Sequence, residues 1–355
     1  MLSTSRKRQI TQIATRTLMH NGINMTRQVD IFSLIRKNRL VLRFMDLDRL
    51  LGAFVPGSPG GVIINSKLPA ALQRYTAAHE FAHFALHTEV FAFDGQLEVE
   101  GRTPSGLESE AQLFASHLLM PLPLMARAAK DVGLERGSDP NADQVYGIAG
   151  IAGVSFSAAL VQLRNLGMLN WAQMQSLQGV RPQSVEVKRT FGEKLTDRGA
   201  HVWSPVELGR GNVQDLYVGD LVAVDLPENR TTGFRWFVSQ STDADSADYS
   251  IDSDPQDITA LDRFMLATAP AITVGTTRVS PRDPMIGGGG RRQILIRATS
   301  RGTWRVILSY APVQNPTNSV ESLNVNAELH LRPGQEQRRL ILESFRASAD
   351  GEVTS

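Results

Sequence analysis

The chain has 355 residues, of which 42% are hydrophobic and 21% are charged, and its formal net charge is +1 at pH 7. At about 150 residues per domain, this ordinary globular composition predicts two or three domains, and the near-zero charge excludes a field that draws the whole chain to nucleic acid or membrane. The absence of cysteine excludes disulfides, thiolate metal ligands and a cysteine nucleophile. We expect a cytoplasmic protein, because no run of about 20 apolar residues spans a bilayer and no signal-peptide pattern follows the basic start.

The N-terminal half reads as helices around a few short strands. The pattern predicts helices over 5–21 and 28–37, a strand over 41–44, two short strands around a Gly/Pro turn within 52–69, a long helix over 70–87, a loop over 88–105, a helix over 108–121, and a smaller helical unit over 122–175. The first 43 residues are strongly basic, with Asp30 as their only acidic residue. This imbalance predicts a solvated basic face, or attraction to an acidic partner or to DNA.

From about residue 183 the pattern changes to short alternating runs separated by turn residues. The runs VEVKRTF, LVAVDL, FRWFVSQ, ILIRAT, WRVILSY and ELHLR predict strands of an all-β module. A further helix, EQRRLILESFRAS, is predicted in the tail. The predicted fold class is therefore α+β multidomain, with the boundaries 1–121, 122–175, 176–190 (linker), 191–335 and 336–355 (tail).

The stretch AHEFAHFALH, residues 78–87, predicts a metal site. His79 and His83 are four residues apart and share one helix face, where two imidazoles can bind one zinc ion. Glu80 lies beside the first ligand, in the position of a general base that does not ligate the metal. An HExxH pattern also arises by chance, but burying two histidines and a glutamate in so apolar a helix is costly without a partner such as zinc.

The third ligand has three candidates. His87 lies two turns, about 12 Å, from His79, so we interpret it as a flanking polar residue that closes the helix. Of Glu108 and Glu110, the presence of Gln112 four residues on favours Glu108, since Gln112 can then hydrogen-bond to a zinc-binding histidine. His117 on the same helix is either satisfied at a helix–helix contact or stabilises an oxyanion.

Three stretches in the right order resemble the ImmA/IrrE family of zinc metallopeptidases over residues 28–170: GAFVPGSPGGVIINSKLPAALQRYTAAHEFAHFALH, ESEAQLFASHLLMP and GVSFSAALVQLRNLGML. The resemblance implies a zincin-type, mainly helical catalytic domain with a small sheet. It implies Zn2+ ligands at His79, His83 and Glu108 and a general base at Glu80, although the family's usual Asn or Asp at position 112 is Gln here. It also implies a helix-turn-helix-like extension over 122–175.

A second resemblance, to chagasin-type inhibitors of papain-like cysteine peptidases, rests on LPENRTTGFRWFV and MIGGGGRRQILIRATSRGTWRVILSYAPVQNP. It covers about 205–333 and implies an immunoglobulin-like β-sandwich. Its partner-binding loops correspond here to Asn229, Thr231, Thr232, Gly233, Gly287, Gly288, Gly289, Gly290 and Pro312. Arg230 replaces the family's proline, and the arginine and aromatic anchor of the third loop are missing. These loops therefore inhibit a cysteine peptidase, recognise another partner, or only make tight turns.

Together these patterns predict a zinc-dependent endopeptidase of restricted specificity. The family resemblance implies cleavage of a helix-turn-helix repressor or antitoxin-type regulator in stress response and transcription regulation, with the β-sandwich recognising or regulating a partner. One alternative is a protease-inhibitor-like binding protein on a catalytically idle zinc scaffold. Another is a DNA-binding regulator, although Arg164 is the only basic residue in GVSFSAALVQLRNLG, which disfavours direct DNA reading.

Overall fold

A computed structural model describes the chain in two compact units. The described residues are 2–92, 104–135, 137–195, 197, 199–208, 214–242, 272–281, 290–298, 302–333 and 335. The N-terminal unit runs to Val180, and the C-terminal unit comprises Arg181–Leu331. The break between the units falls inside the predicted linker, 176–190.

The N-terminal unit is a set of helices around one small sheet. Its elements are α1 (Thr4–His20), α2 (Ile31–Lys37), β1 (Val41–Met45), β2 (Gly52–Val55), β3 (Gly61–Asn65), α3 (Ala70–Ala92), α4 (Pro104–Leu119), α5 (Leu122–Asp131), α6 (Ala142–Ala152), α7 (Phe156–Asn165) and α8 (Trp171–Gln178). The strand order is β1-β3-β2, in which β3 is parallel to β1 and antiparallel to β2. Strand β2 is therefore an edge strand of this sheet.

Helices α1, α3 and α4 form the core that carries the site. Ser3 caps α1 by accepting a hydrogen bond from Arg6 N, and the apolar stripe of α1 is buried at Ile10, Ala14 and Leu18. The rings of Phe81 on α3 and Phe114 on α4 are buried, with centroids 6.3 Å apart. Burial of these aliphatic and aromatic side chains stabilises the packing that sets the distance between α3 and α4.

The C-terminal unit begins with α9 (Pro182–Arg189) and continues as strands. These are β4 (Val202–Trp203), β5 (Gln214–Tyr217), β6 (Leu221–Glu228), β7 (Phe234–Thr242), β8 (Ile272–Pro281), β9 (Gly290–Ala298), β10 (Gly302–Pro312) and β11 (Glu321–His330), with a 3-10 turn at Arg230–Thr232. They form two four-stranded sheets, ordered β5-β11-β10-β7 and β4-β6-β9-β8. This sheet-rich unit and the helical N-terminal unit confirm the predicted α+β multidomain class.

Two predicted segments differ from the structure. The predicted loop 88–105 is wrong at both ends, because α3 continues to Ala92 and α4 already begins at Pro104. The predicted strand VEVKRTF is also wrong, because it lies mostly in α9, which starts with a proline in its first turn. Among the described helices none alone is long and apolar enough to cross a membrane, while α6 and α7 pass that test only as a pair bent by 97°. The predicted tail helix lies outside the described residues.

Candidate metal centre

Three side chains from α3 and α4 converge on one point. His79 Nε2 and His83 Nε2 lie 3.3 Å apart, and Glu108 reaches them from α4 with Oε2 3.0 Å from His79 Nε2 and Oε1 3.4 Å from His83 Nε2. The structure therefore brings together the three ligands that the sequence predicts. Each histidine presents the nitrogen that points away from its own main chain.

The size and chemistry of this group fit zinc. Tetrahedral ligands at about 2.1 Å from a zinc ion lie about 3.4 Å from one another, which is close to all three separations given above. Two imidazole nitrogens and one carboxylate are a donor set that zinc takes in catalytic sites. Burial, followed by the charge of His79, lowers the pKa of His83 to about 4. His83 is thus held in the neutral form, which is the form that binds a metal.

Glu80 lies on the same helix, next to His79 in sequence, and is hydrogen-bonded to the edge strand β2. The Phe54 N–H of β2 donates to its carboxylate. Burial raises the pKa of Glu80 to about 7; the Phe54 hydrogen bond opposes this shift, and the nearby charge of Glu108 adds to it. A carboxyl group whose pKa lies near neutral pH can both accept and return a proton.

Strand β2 reaches Glu80 because residue 52 is glycine. A Cβ on Gly52 would lie 2.5 Å from Thr76 Cγ2, 2.7 Å from the Ile63 carbonyl oxygen and 3.4 Å from Glu80 Cγ. Any side chain at this position therefore forces β2 away from α3. The sequence contains GAFV as a predicted strand, but nothing in it marks this close approach.

His87 is not the flanking residue that the sequence predicts. Its side chain is fully buried, and α3 continues past it. His87 Nδ1 lies 3.2 Å from His83 Nδ1, and His87 Nε2 lies 3.2 Å from Glu110 Oε2. Arg6 of α1 holds Glu110 from the other side, so the second glutamate of α4 has a structural partner and not a metal. Sequence reasoning considered Glu110 only as a zinc ligand, and it missed the pairing of Glu110 with His87 and Arg6. The repeat of histidine at four-residue spacing was the available signal.

The two remaining residues predicted for α4 have different surroundings. Gln112 is exposed on α4, and its main-chain carbonyl accepts a hydrogen bond from Ser116. Its bond to a zinc-binding histidine stays a prediction. Burial lowers the pKa of His117, and His117 Nδ1 lies 3.5 Å from Gln162 Nε2 on α7. This contact between α4 and α7 favours the helix–helix role for His117.

Arg164 of the predicted helix-turn-helix segment is engaged within the protein. Its guanidinium lies over the ring of Trp171 at 5.0 Å from the centroid. Such a cation–π contact orients the only basic side chain of GVSFSAALVQLRNLG along the protein surface. The geometry adds no support for direct DNA reading.

The described residues of the predicted partner loops lie near one another in the C-terminal unit. The turn that contains Asn229, Thr231, Thr232 and Gly233 joins β6 to β7. The pairs Glu228↔Gly290 and Phe234↔Pro312 place the start of β9 and the end of β10 beside it. Residues 287–289 lie outside the described residues. Gly290 and Pro312, the described residues predicted for the other two loops, therefore lie beside this turn.

The Asn229–Gly233 turn contains hydrogen bonds between its own residues. Asn229 Oδ1 accepts from Thr231 N and Thr231 Oγ1, at 3.1 and 2.7 Å, and Gly233 adopts a left-handed conformation with φ of 74°. Tyr310 packs its ring against Phe234 and Trp236, with centroids 5.5 and 5.2 Å away. Asparagine, threonine and glycine here form a turn that is held by its own hydrogen bonds and is followed by packed aromatic rings.

Two family models match the chain. Residues 40–163 match the IrrE N-terminal-like domain, Peptidase_M78, and residues 215–326 match the chagasin family of peptidase inhibitors, I42. The chain joins an IrrE-like domain to a chagasin-like domain. These matches confirm both resemblances and identify a protease-family scaffold and a domain of a protein-binding kind.

Solved structures show weaker likenesses. The cysteine protease inhibitor EhICP2 from Entamoeba histolytica is 16% identical, with 37% of this chain and 96% of that chain covered and a TM-score of 0.25. Amebosin is also 16% identical, with 36% and 96% covered and a TM-score of 0.24. A Mycobacterium tuberculosis transcriptional regulator is 12% identical, with 82% and 76% covered and a TM-score of 0.33. TM-scores this low add nothing to the two family matches, and no curated protein matches the chain.

Proposed function

We propose that this chain is a zinc-dependent endopeptidase of restricted specificity. The observation that carries the proposal is the convergence of His79, His83 and Glu108 at tetrahedral spacing, with Glu80 half-buried on the same helix, inside the IrrE-like domain. A bound zinc ion acts as a Lewis acid that polarises a peptide carbonyl and makes water a better nucleophile. The proposed fold of this unit is the zincin type.

Glu80 is the proposed general base and acid. Its carboxylate takes the proton of the attacking water and then passes that proton to the nitrogen of the leaving amine, so the peptide bond is hydrolysed and Glu80 returns to its starting state. The Phe54 N–H keeps the carboxylate oriented, and burial keeps the pKa near neutral pH, where both transfers are feasible.

Strand β2 is the proposed docking edge for the substrate backbone. It lies at the border of the β1-β3-β2 sheet and touches Glu80 through Phe54. An extended peptide that pairs with such an edge presents its main chain to the catalytic residues, which suits cleavage of an exposed, extended segment. A folded protein satisfies this requirement at few places, and restricted specificity follows.

The proposed substrate is a helix-turn-helix repressor or antitoxin-type regulator in the cytoplasm, cleaved in a stress response. The family match to an IrrE-like domain supports this class of substrate. The chagasin-like domain, proposed as an immunoglobulin-like sandwich, would recognise the substrate or a regulator through the loops around Asn229–Gly233. The helices of 122–175 are the proposed helix-turn-helix-like extension.

The test is co-expression of the full chain with candidate repressors, in the wild type and in Glu80→Gln. The wild type is expected to yield discrete repressor fragments and to contain about one zinc per chain, as one three-ligand site requires. Glu80→Gln is expected to keep the zinc and the fold but to leave the repressor intact. Cleavage that persists in Glu80→Gln would refute the proposed mechanism.

A second candidate function is inhibition of papain-like cysteine peptidases. It is favoured by the chagasin family match and by the placement of Gly290 and Pro312 beside the Asn229–Gly233 turn. The missing arginine and aromatic residue after Pro312 weaken it, because such anchors carry much of an interface's energy. A papain assay with micromolar wild type and a Thr231→Ala, Thr232→Ala double variant decides it: no inhibition by the wild type removes this candidate.

A further inference from the structure

A chain of charged and polar side chains runs from α1 to the metal centre. Arg6 donates from Nε to Glu110 Oε1 at 2.7 Å and from Nη2 to Glu110 Oε2 at 2.5 Å. Glu110 Oε2 lies 3.2 Å from His87 Nε2. His87 Nδ1 in turn lies 3.2 Å from Nδ1 of the ligand His83. Each link has hydrogen-bond geometry, and together the links connect α1, α4 and α3.

These hydrogen-bonded side chains are largely buried, at positions where apolar side chains would pack at a lower cost in free energy. The His87 side chain is 0% exposed, that of Glu110 is 8% exposed, and that of Arg6 is 21% exposed. Buried polar and charged groups are costly unless each is paired, and here each is paired with the next. Their placement against a metal ligand calls for a role at that ligand.

The direction of each hydrogen bond in this series follows from Arg6, which lies at one end of it. Arg6 only donates, so Glu110 is an ionised acceptor and His87 must donate to it from Nε2. A neutral His87 then has an acceptor at Nδ1, and His83 donates to it from its own Nδ1. His83 Nε2 then carries no proton, and this is the nitrogen that lies 3.3 Å from His79 Nε2 and 3.4 Å from Glu108 Oε1.

We propose that Arg6, Glu110 and His87 are positioning residues that hold His83 in the Nδ1–H tautomer and thereby set the affinity of the site for zinc. This inference rests on the proposed zinc site. Arg6 belongs to α1, which lies outside residues 40–163 of the IrrE-like match. The N-terminal helix therefore acts as part of the metal centre, and not only as a cover for the core.

The first test measures zinc affinity of the untagged full chain by competition with a chromophoric chelator. Loss of a partner behind a metal-binding histidine typically weakens metal binding by about 10- to 100-fold, so we expect that range for Glu110→Gln and about 10-fold for Arg6→Ala. Arg8→Ala is the matched control, since Arg8 is an exposed arginine of the same helix. It is expected to bind zinc like the wild type.

The second test reads the tautomer directly, by ¹⁵N NMR of the histidine rings in the metal-free protein. The expected result is the Nδ1–H form of His83 in the wild type and a mixture of both forms in Glu110→Gln. Unchanged zinc affinity in both Glu110→Gln and Arg6→Ala, or the Nε2–H form in the wild type, would overturn the proposal. If Glu110→Gln does not fold, the partly exposed Arg6→Ala variant decides by both measurements.

Neither measurement depends on proteolysis. Suppose the wild type binds zinc with the expected dependence on Arg6 and Glu110 but cleaves no repressor. That result would refute the proposed peptidase function and leave the proposed positioning role of Arg6, Glu110 and His87 intact. Conversely, suppose the wild type cleaves a repressor while His83 is in the Nε2–H form. That result would support the peptidase function and refute the positioning role of Arg6, Glu110 and His87.

Discussion

Gly52 is the residue on which the contact between β2 and α3 depends. Thr76 and the Ile63 carbonyl leave no room for a Cβ at this position. Phe54, two residues along the same strand, donates its N–H to Glu80. The absence of one side chain thus brings a hydrogen-bond donor to Glu80, the proposed general base.

The variant Gly52→Ala is expected to lose most of its cleavage activity and to be less stable by about 1–3 kcal/mol, as overpacked sites are. The cause is displacement of β2, which moves Phe54 away from Glu80. Thermal unfolding and repressor cleavage measure the two effects. Gly179→Ala is the control, because a Cβ there meets nothing within 4 Å. Equal effects in the two variants would contradict the role of close approach.

How far the site is predictable depends on the sequence distance between partners. His79, Glu80 and His83 follow from their spacing on one helix, and Glu108 follows from the helix pattern together with the family resemblance. The role of His87 was predicted wrongly because its partner Glu110 is 23 positions away in the sequence. Arg6, the partner of Glu110, is 104 positions from Glu110. Such contacts are set by the packing of α1 against α4, which no local pattern encodes.

At the scale of elements, α3 is fixed near its start by one buried arginine. Arg74 donates from Nε to the Gly153 carbonyl at 3.0 Å and from Nη2 to the Val29 carbonyl at 2.8 Å. Its side chain thereby joins α3 to the end of α6 and to the residue before the N-cap of α2. Gly153 has a φ of 64°, and a Cβ there would collide with Gln28.

Replacing Arg74 with methionine is expected to destabilise the protein by about 2 kcal/mol or more, because two buried carbonyls lose their donors. Urea unfolding of the full chain measures this loss. Arg36→Met provides the comparison, since Arg36 is exposed in the last turn of α2 and surface changes usually stay within about 0.5 kcal/mol. A similar small effect at Arg74 would show that α3 is held by apolar packing alone.

Helices and strands were predicted correctly where the hydrophobic pattern of the sequence fits one type of secondary structure. The strands GAFV and VIIN and most β-strands of the C-terminal unit follow from alternation and turn residues. VEVKRTF alternates as well, yet it lies mostly in α9, where the buried residues Val185 and Arg189 are four apart. Arg189 donates to the Val202 carbonyl at 2.7 Å and pairs with Glu207 at 2.6 Å. These tertiary contacts outweigh the local strand preference.

At the scale of the whole molecule, each compact unit has its own buried polar anchor. In the N-terminal unit this is the chain from Arg6 to His83. In the C-terminal unit it is Asp220, which is 2% exposed and accepts from His201 N at 2.9 Å, Trp203 Nε1 at 3.0 Å and Tyr217 N at 3.0 Å. The carboxylate thus ties β4 and β5 to the start of β6.

Because the proposed zinc ligands and Asp220 belong to different units, removal of zinc and replacement of Asp220 should affect different unfolding transitions. At free zinc about 1,000-fold above the dissociation constant, binding stabilises the folded N-terminal unit by about 4 kcal/mol, and chelation removes this term. Asp220→Asn should lower only the other transition, by about 1.5–3 kcal/mol for lost bonds to a charged acceptor. Differential scanning calorimetry of the full chain resolves both changes.

Asp225→Asn, five residues on and within β6, is the control, because Asp225 forms a surface pair with Arg291 and such pairs contribute about 0–1 kcal/mol. It should leave both transitions close to those of the wild type. If chelation and Asp220→Asn instead shift one common transition, the two units unfold together.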